Sequence, residues 1–255
     1  LSTATRRPID IVEISCPGAR DAMFNMDDSK IFTTCQQEPK GMAVIDVESR
    51  KEIKMIPIKG GRAGGMDPQG KYFMVSASKS VHFFDSQTAE HVKTIKVPGG
   101  GGNFTCLKDG SKCYVGLRKA NAVGVIDMAK LELMKTIETG PDANRLYLNP
   151  GNNRYGLFAN ESGKSDIVSI IDTQKDVKVK DIWTGLGPHN VAFDPDGKFA
   201  VISTKKENVA TLVDTGSADP NDWDVITTDL DSGIQNNGVR WVPSPAALKK
   251  ALAQN

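Results

Sequence analysis

Ile171-Asp172, a polar turn, Ile182-Trp183-Thr184-Gly185-Leu186-Gly187-Pro188, Val191-Ala192-Phe193, Asp194-Pro195-Asp196-Gly197-Lys198 and Phe199-Ala200-Val201 form the stretch whose reading decides the fold. Pro presets φ for a turn and Gly tolerates positive φ, so Asp194–Lys198 reads as a tight hairpin between two short strands. One full unit then reads as strand a (Val191–Phe193), the turn, strand b (Phe199–Ser203), strand c (Ala210–Val213), an Asp turn and strand d (Asp224–Thr227).

Working outward, the same grammar recurs. Aliphatic runs close on Asp46, Asp85, Asp127, Asp172 and Asp214, spaced 39, 42, 45 and 42 residues apart. An Asp carboxylate can accept from the backbone N–H two residues on, which suits it to ending a strand. A hairpin signal precedes each Asp: Asp27-Asp28-Ser29-Lys30, Asp67-Pro68-Gln69-Gly70-Lys71, Lys108-Asp109-Gly110-Ser111-Lys112, Asn149-Pro150-Gly151-Asn152 and Asp194–Lys198. Four antiparallel strands every 42 residues or so, without a helical spacer, are the signature of a propeller blade. A parallel α/β sheet would need crossovers of a dozen or more residues, usually helical, and none with helical periodicity lies between these strands.

The pattern from Ile171 to Val201 resembles the YVTN-type β-propeller repeat of secreted bacterial and archaeal proteins, over about residues 7–243. The strand that names that family is replaced here by Phe199-Ala200-Val201-Ile202-Ser203-Thr204 and, in another blade, by Cys113-Tyr114-Val115-Gly116. The resemblance implies a fold and little chemistry, since such propellers serve as surface proteins, binding modules and redox-enzyme subunits. The expectation is an all-β propeller of four-stranded antiparallel blades, with five complete blades over 18–57, 60–97, 100–138, 142–183 and 187–229. Leu1–Ile14 is expected to supply a turn and strand d, and Asn237–Pro243 a strand a, of a partial closing blade. A chain entering mid-blade implies an incomplete N-terminus and six or seven blades in the full protein. Residues 1–243 are read as one propeller domain. The tail 244–255 is read as a short helix, with Ser244 as N-cap, Pro245 at the first helical position and Leu248/Leu252 one turn apart.

Composition bounds the task. The 255 residues carry 32 Lys+Arg against 31 Asp+Glu, a formal net charge of +1, so no whole-molecule field draws the chain to nucleic acid or an anionic membrane. No apolar run is long enough to span a bilayer. Recognition must therefore be local. Aligning the start of strand a across the repeats places Arg20, Asp21, Arg62, Asn103, Asn144, Arg145, His189, Asn190 and Asn237 at one mouth of the central channel. Arginine offers planar donors suited to carboxylate or phosphate, so an anionic small ligand or an acidic peptide is the expected occupant. His189 is read as a rim hydrogen-bonding group. His82 and His91 fall in strands c and d of the second blade, away from the mouth.

The cysteines, Cys16, Cys35, Cys106 and Cys113, make no Cys-x-x-Cys, hence no zinc pattern and no covalent haem site. Cys106 and Cys113 flank a hairpin turn, where a cross-hairpin disulfide is conceivable beside buried free thiols. Cys16 and Cys35 lie in different local elements and are not expected to pair. Gly163-Lys164-Ser165 lacks the leading Gly of a phosphate loop, and Asn103-Phe104-Thr105 and Asn160-Glu161-Ser162 are glycosylation sequons. The function expected first is an exported, non-catalytic binding or scaffold propeller, periplasmic or extracellular, with no cofactor or metal of its own, contacting a protein partner or small anion through its channel mouth. The second is a propeller subunit of a periplasmic redox enzyme, with haem or a quinone cofactor in a partner subunit or cytochrome. The third, a lactone-hydrolysing propeller, requires Arg20, Asp21, Arg62 and His189 to converge.

Overall fold

The computed structural model describes residues 10–207 and 209–231, which form five four-stranded antiparallel sheets. The first holds β1 (Ala19–Phe24), β2 (Lys30–Cys35), β3 (Gly41–Asp46) and β4 (Lys51–Pro57). The second holds β5 (Ala63–Met66), β6 (Tyr72–Ser76), β7 (Ser80–Asp85) and β8 (His91–Lys96). The third holds β9 (Phe104–Cys106), β10 (Lys112–Leu117), β11 (Ala122–Asp127) and β12 (Glu132–Glu138). The fourth holds β13 (Ala143–Leu148), β14 (Tyr155–Asn160), β15 (Ile167–Asp172) and β16 (Val177–Trp183). The fifth holds β17 (Pro188–Phe193), β18 (Phe199–Thr204), β19 (Val209–Asp214) and β20 (Asp224–Asp231). Each sheet is a simple meander in chain order. The chain is an all-β propeller.

The turns explain why these segments fold as they do. Asp85, Asp127, Asp172 and Asp214 each accept, through Oδ1, the backbone N–H two residues on, at 2.9 Å in every case. Asp46 instead accepts from Ser49 N and Oγ, at 2.8 and 2.6 Å. Four residues past each of the first four Asp, the backbone turns left-handed at Arg50, Ala89, Leu131 and Asp176, with φ between 51° and 56°. The c–d pairing in those sheets carries a register shift nearby, the mark of a bulge. In the fifth sheet, whose c–d pairing also shifts register, a longer connection containing the 3-10 turn Pro220–Asp222 replaces the left-handed residue.

The described chain forms two compact units, 10–138 with Ala143–Arg145, and 139–142 with 146–231. In the first unit successive β6 residues face opposite neighbours. Phe73 and Val75 pack with Phe32, Met42 and Val44, while Met74 joins Val115, Leu117 and Ile126. Phe32 and Phe73 stack with ring centroids 5.1 Å apart. In the second unit Leu157, Val168, Ile170 and Ile182 meet Ala200, Ile202, Val213 and Trp223. Fully burying such an aliphatic or Phe side chain stabilises the fold by roughly 1.5–3 kcal/mol. The first strands approach one another from sheet to sheet, β1 to β5 and β5 to β9 in the first unit, so their starts cluster.

Both cysteine pairs are disulfides. Cys106 and Cys113 are direct cross-strand partners on β9 and β10. Contrary to the sequence reading, Cys16 also pairs with Cys35, with Cα atoms 5.7 Å apart. Gly18, at φ +71°, turns the chain into β1 and leaves the preceding residues lying back across the sheet. Ile14 and Cys16 pack there on Cys35, Ala43 and Met55. Ser15 N and Oγ donate to the Glu52 carboxylate at 2.7 and 2.6 Å. Residues 10–14 pair in none of the five sheets, and the rest of the turn and strand d expected over Leu1–Ile14 lies outside the described residues. Residues 1–9, Asn237 and the expected terminal helix lie outside the described residues.

Candidate functional site

Two pairs of the candidate residues sit where the first ladder of a sheet is interrupted. The β1–β2 register shifts between Ala19 and Ala22, and the β17–β18 register between Pro188 and Val191. Arg20-Asp21 and His189-Asn190 thus occupy bulges, which re-aim side chains away from regular pairing. In the first unit Asp21 Oδ2 accepts from Gly64 N at 3.0 Å and lies 3.6 Å from Arg20 Nε. Gln36, just past β2, faces Arg20: with its amide oxygen toward the guanidinium it accepts from Nη1 at 2.6 Å and Nε at 3.2 Å. Asn103 donates twice to Asn144, backbone N to backbone O at 3.0 Å and Nδ2 to Oδ1 at 3.1 Å. Asn144 is buried and Arg145 exposed.

Asp21, Asn103 and Asn144 therefore join neighbouring first strands. The cations do something else. Arg62, half-buried before β5, holds the backbone together through its own N–H and C=O, to Ser76 O and from Thr34 Oγ1. Its residue lines a cavity of about 240 Å³ with Gln36, Lys40, Gly60, Gly61 and Ser78. No carboxylate is among the described residues that line this cavity.

In the second unit His189 meets Glu161, which the sequence reading did not single out. His189 Nε2 lies 2.9 Å from Glu161 Oε1, and Lys205 also reaches that oxygen. Only 7% of the Glu161 side chain is exposed. The other ring nitrogen, Nδ1, lies 3.0 Å from Asn190 Nδ2, and Asn190 Oδ1 accepts from the Tyr147 hydroxyl. Both ring nitrogens thus face protein groups. The four residues proposed for lactone chemistry fall in separate units, with His189 in the second and Arg20, Asp21 and Arg62 in the first.

Gln36, Glu161 and Lys205 share one signal that was open to sequence reasoning: each follows the last residue of a second strand. Antiparallel pairing sets that end beside the start of strand a, as Ala19↔Cys35 and Pro188↔Thr204 show. Elsewhere, His82 and His91 lie on β7 and β8, their rings 6.1 Å apart, and share Thr94 Oγ1 at 3.0 and 2.7 Å. Burial, then the neighbouring His91, pushes His82 below its ordinary pKa. Both sequon asparagines are engaged in the sheets. Asn160 is fully buried and accepts from Gly140 N, and Asn103 is tied to Asn144. Gly163-Lys164-Ser165 is a loop between β14 and β15.

No protein-family model and no curated protein sequence matches the chain. Among solved structures it is similar to hydrazine synthase of Kuenenia stuttgartiensis, with a TM-score of 0.59 and 17% identity over 92% of each chain. It is also similar to a functionally unknown protein of Desulfotomaculum acetoxidans, with a TM-score of 0.64 and 13% identity over 83% of this chain and 69% of that one. A candidate 6-phosphogluconolactonase of Bacteroides fragilis gives a TM-score of 0.66 and 19% identity over 84% and 70%. At these identities the likeness carries the fold.

Proposed function

We propose that this chain is an exported, non-catalytic binding module, a propeller of the YVTN type whose strand-a ends hold an anionic ligand or an acidic segment of a protein partner. The observation that carries this reading is the division of labour at the rim. His189 has both ring nitrogens facing protein groups, and Arg62 and Lys40 line a cavity that has no carboxylate among its described lining residues. Guanidinium and ammonium donors around a polar cavity recognise oxyanions. Two disulfides support an oxidising compartment. Among the described residues no helix is long and apolar enough to cross a membrane.

A second reading keeps the same rim but makes the chain a propeller subunit of a redox assembly, with the cofactor in a partner. It draws on the likeness to hydrazine synthase along 92% of both chains. Titration with a short poly-glutamate peptide tests the first reading. Thermal stabilisation by the peptide should vanish in Arg62→Ala and Arg145→Ala. Undiminished stabilisation in both variants would remove the arginine rim as the recognition element.

A further inference from the structure

Away from the rim, we infer that His82 and His91 form a binding site for one divalent transition-metal cation of the zinc and copper class, on the face of the second sheet turned to the first. The register makes the pair. On β7, His82 shares a face with Phe84, which packs with Phe32 and Met42 of the first sheet. Across the ladder Phe84 pairs with His91 and His82 with Thr94, both on β8. Residues three apart on a regular strand face opposite ways, yet the register shift between Phe83 and Phe84 leaves Val92 unpaired and returns His91 to the face of Thr94.

Two imidazole nitrogens converge on one atom-sized position. His82 Nδ1 and His91 Nε2 lie 3.0 and 2.7 Å from the same Thr94 Oγ1, and the ring centroids are 6.1 Å apart. Zinc sits about 2.0–2.1 Å from an imidazole nitrogen, so swinging the exposed Thr94 hydroxyl aside and rotating the exposed His91 ring inward brings both nitrogens onto one ion. Imidazole suits zinc, copper and nickel, whereas calcium and magnesium take oxygen. Water fills the remaining positions. Coordination at His82 Nδ1 requires the ring proton on Nε2, where Ser80 Oγ stands at 2.9 Å, the outer partner that ligating histidines use. Phe84 backs both rings, with centroids 6.5 Å from His82 and 5.5 Å from His91. The neighbouring ammonium groups are committed to carbonyl oxygens: Lys54 of the first sheet donates to Ala89 O at 3.1 Å, and Lys93, on the opposite face of β8, to Lys130 O at 2.9 Å.

Zinc chloride is titrated into the untagged protein in a non-chelating buffer while the heat of binding and the melting temperature are read, with magnesium chloride as the control. One equivalent of zinc should bind and raise the melting temperature, and magnesium at the same concentration should do neither. With cupric ion, electron paramagnetic resonance should show coupling to two nitrogens, which binding to carboxylates does not give. Ser80→Ala should weaken zinc binding about 10-fold, the lower end of what an outer partner contributes, and His82→Gln and His91→Gln by more than that. Each histidine variant should also reduce the cupric coupling to one nitrogen or none. His91 is exposed, so His91→Gln reports on the site even if His82→Gln, half-buried beside Phe84, is unstable. No zinc binding by the parent, equal affinity in the parent and His91→Gln, or a cupric spectrum without nitrogen coupling overturns the site. Poly-glutamate binding at the arginine rim is a separate measurement, and none of these outcomes bears on it.

Discussion

At Arg50 the chain holds a non-glycine residue at φ 55°, a left-handed conformation that costs an L-residue roughly 1–2 kcal/mol relative to the right-handed form. Glycine adopts that conformation freely, so Arg50→Gly should raise the stability by about 1 kcal/mol in denaturant titration, less the extra entropy of the unfolded chain. The exposed Arg50–Asp10 ion pair lost in the change contributes little. His82 gives a pH-dependent test. Its folded-state pKa lies below the ordinary value of about 6.5, so folding favours the neutral ring. That stabilisation is complete above the unfolded pKa and is lost as pH falls through about 6.5 toward the folded value. The melting temperature should therefore drop between pH 7 and pH 5 more steeply in the parent than in His82→Gln. Equal slopes would assign the drop to other groups. The rim shows what a residue list can and cannot carry. Arg20, Arg62 and His189 were legible by counting back from Phe193 along each repeat. Gln36, Glu161 and Lys205 were not, because that count followed strand a and ignored the strand end paired beside it.

At the scale of the element, the repeating Asp turn was the most legible feature of the chain. It binds its own backbone two or three residues on, so it needs no tertiary context. The backbone N–H of Thr88 holds Asp85 below the usual carboxylate range, and the Ser49 hydroxyl does the same for Asp46. Burial alone would raise Asp172, yet the Arg154 guanidinium and the N–H groups of Lys175 and Gln174 carry it below. The disulfides were less legible. Cys106–Cys113 closes a hairpin and depends on local pairing, whereas Cys16–Cys35 depends on the chain folding back over a finished sheet. Chain-entropy arguments give about 3 kcal/mol for the longer loop, with sequence separation 19, and about 2 kcal/mol for the shorter, with separation 7. Replacing Cys16 and Cys35 together by Ser should accordingly lower the denaturation midpoint more than the same change at Cys106 and Cys113. The opposite order would show that native packing, and not loop closure, sets the ranking.

For the molecule as a whole, stability comes from sheets that cannot bury both faces alone. Phe73 shows this directly: it is fully buried and stacked on Phe32 of the adjoining sheet. Phe73→Ala should cost about 3–5 kcal/mol, measured by chemical denaturation, because it removes both the burial and the ring pair. A loss below 1 kcal/mol would mean that the two sheets can close up around the missing ring. The same logic gives the Cys16 staple a wider meaning. Ile14 and Cys16 rest on Cys35, Ala43 and Met55, an apolar strip on the face of the first sheet turned away from the second. Under reducing conditions the covalent anchor would open, leaving Ile14 and Cys16 held on the strip by packing and by the Ser15–Glu52 hydrogen bonds. Reduction should therefore loosen this segment before any sheet unfolds, seen as added binding of an apolar dye below the unfolding transition.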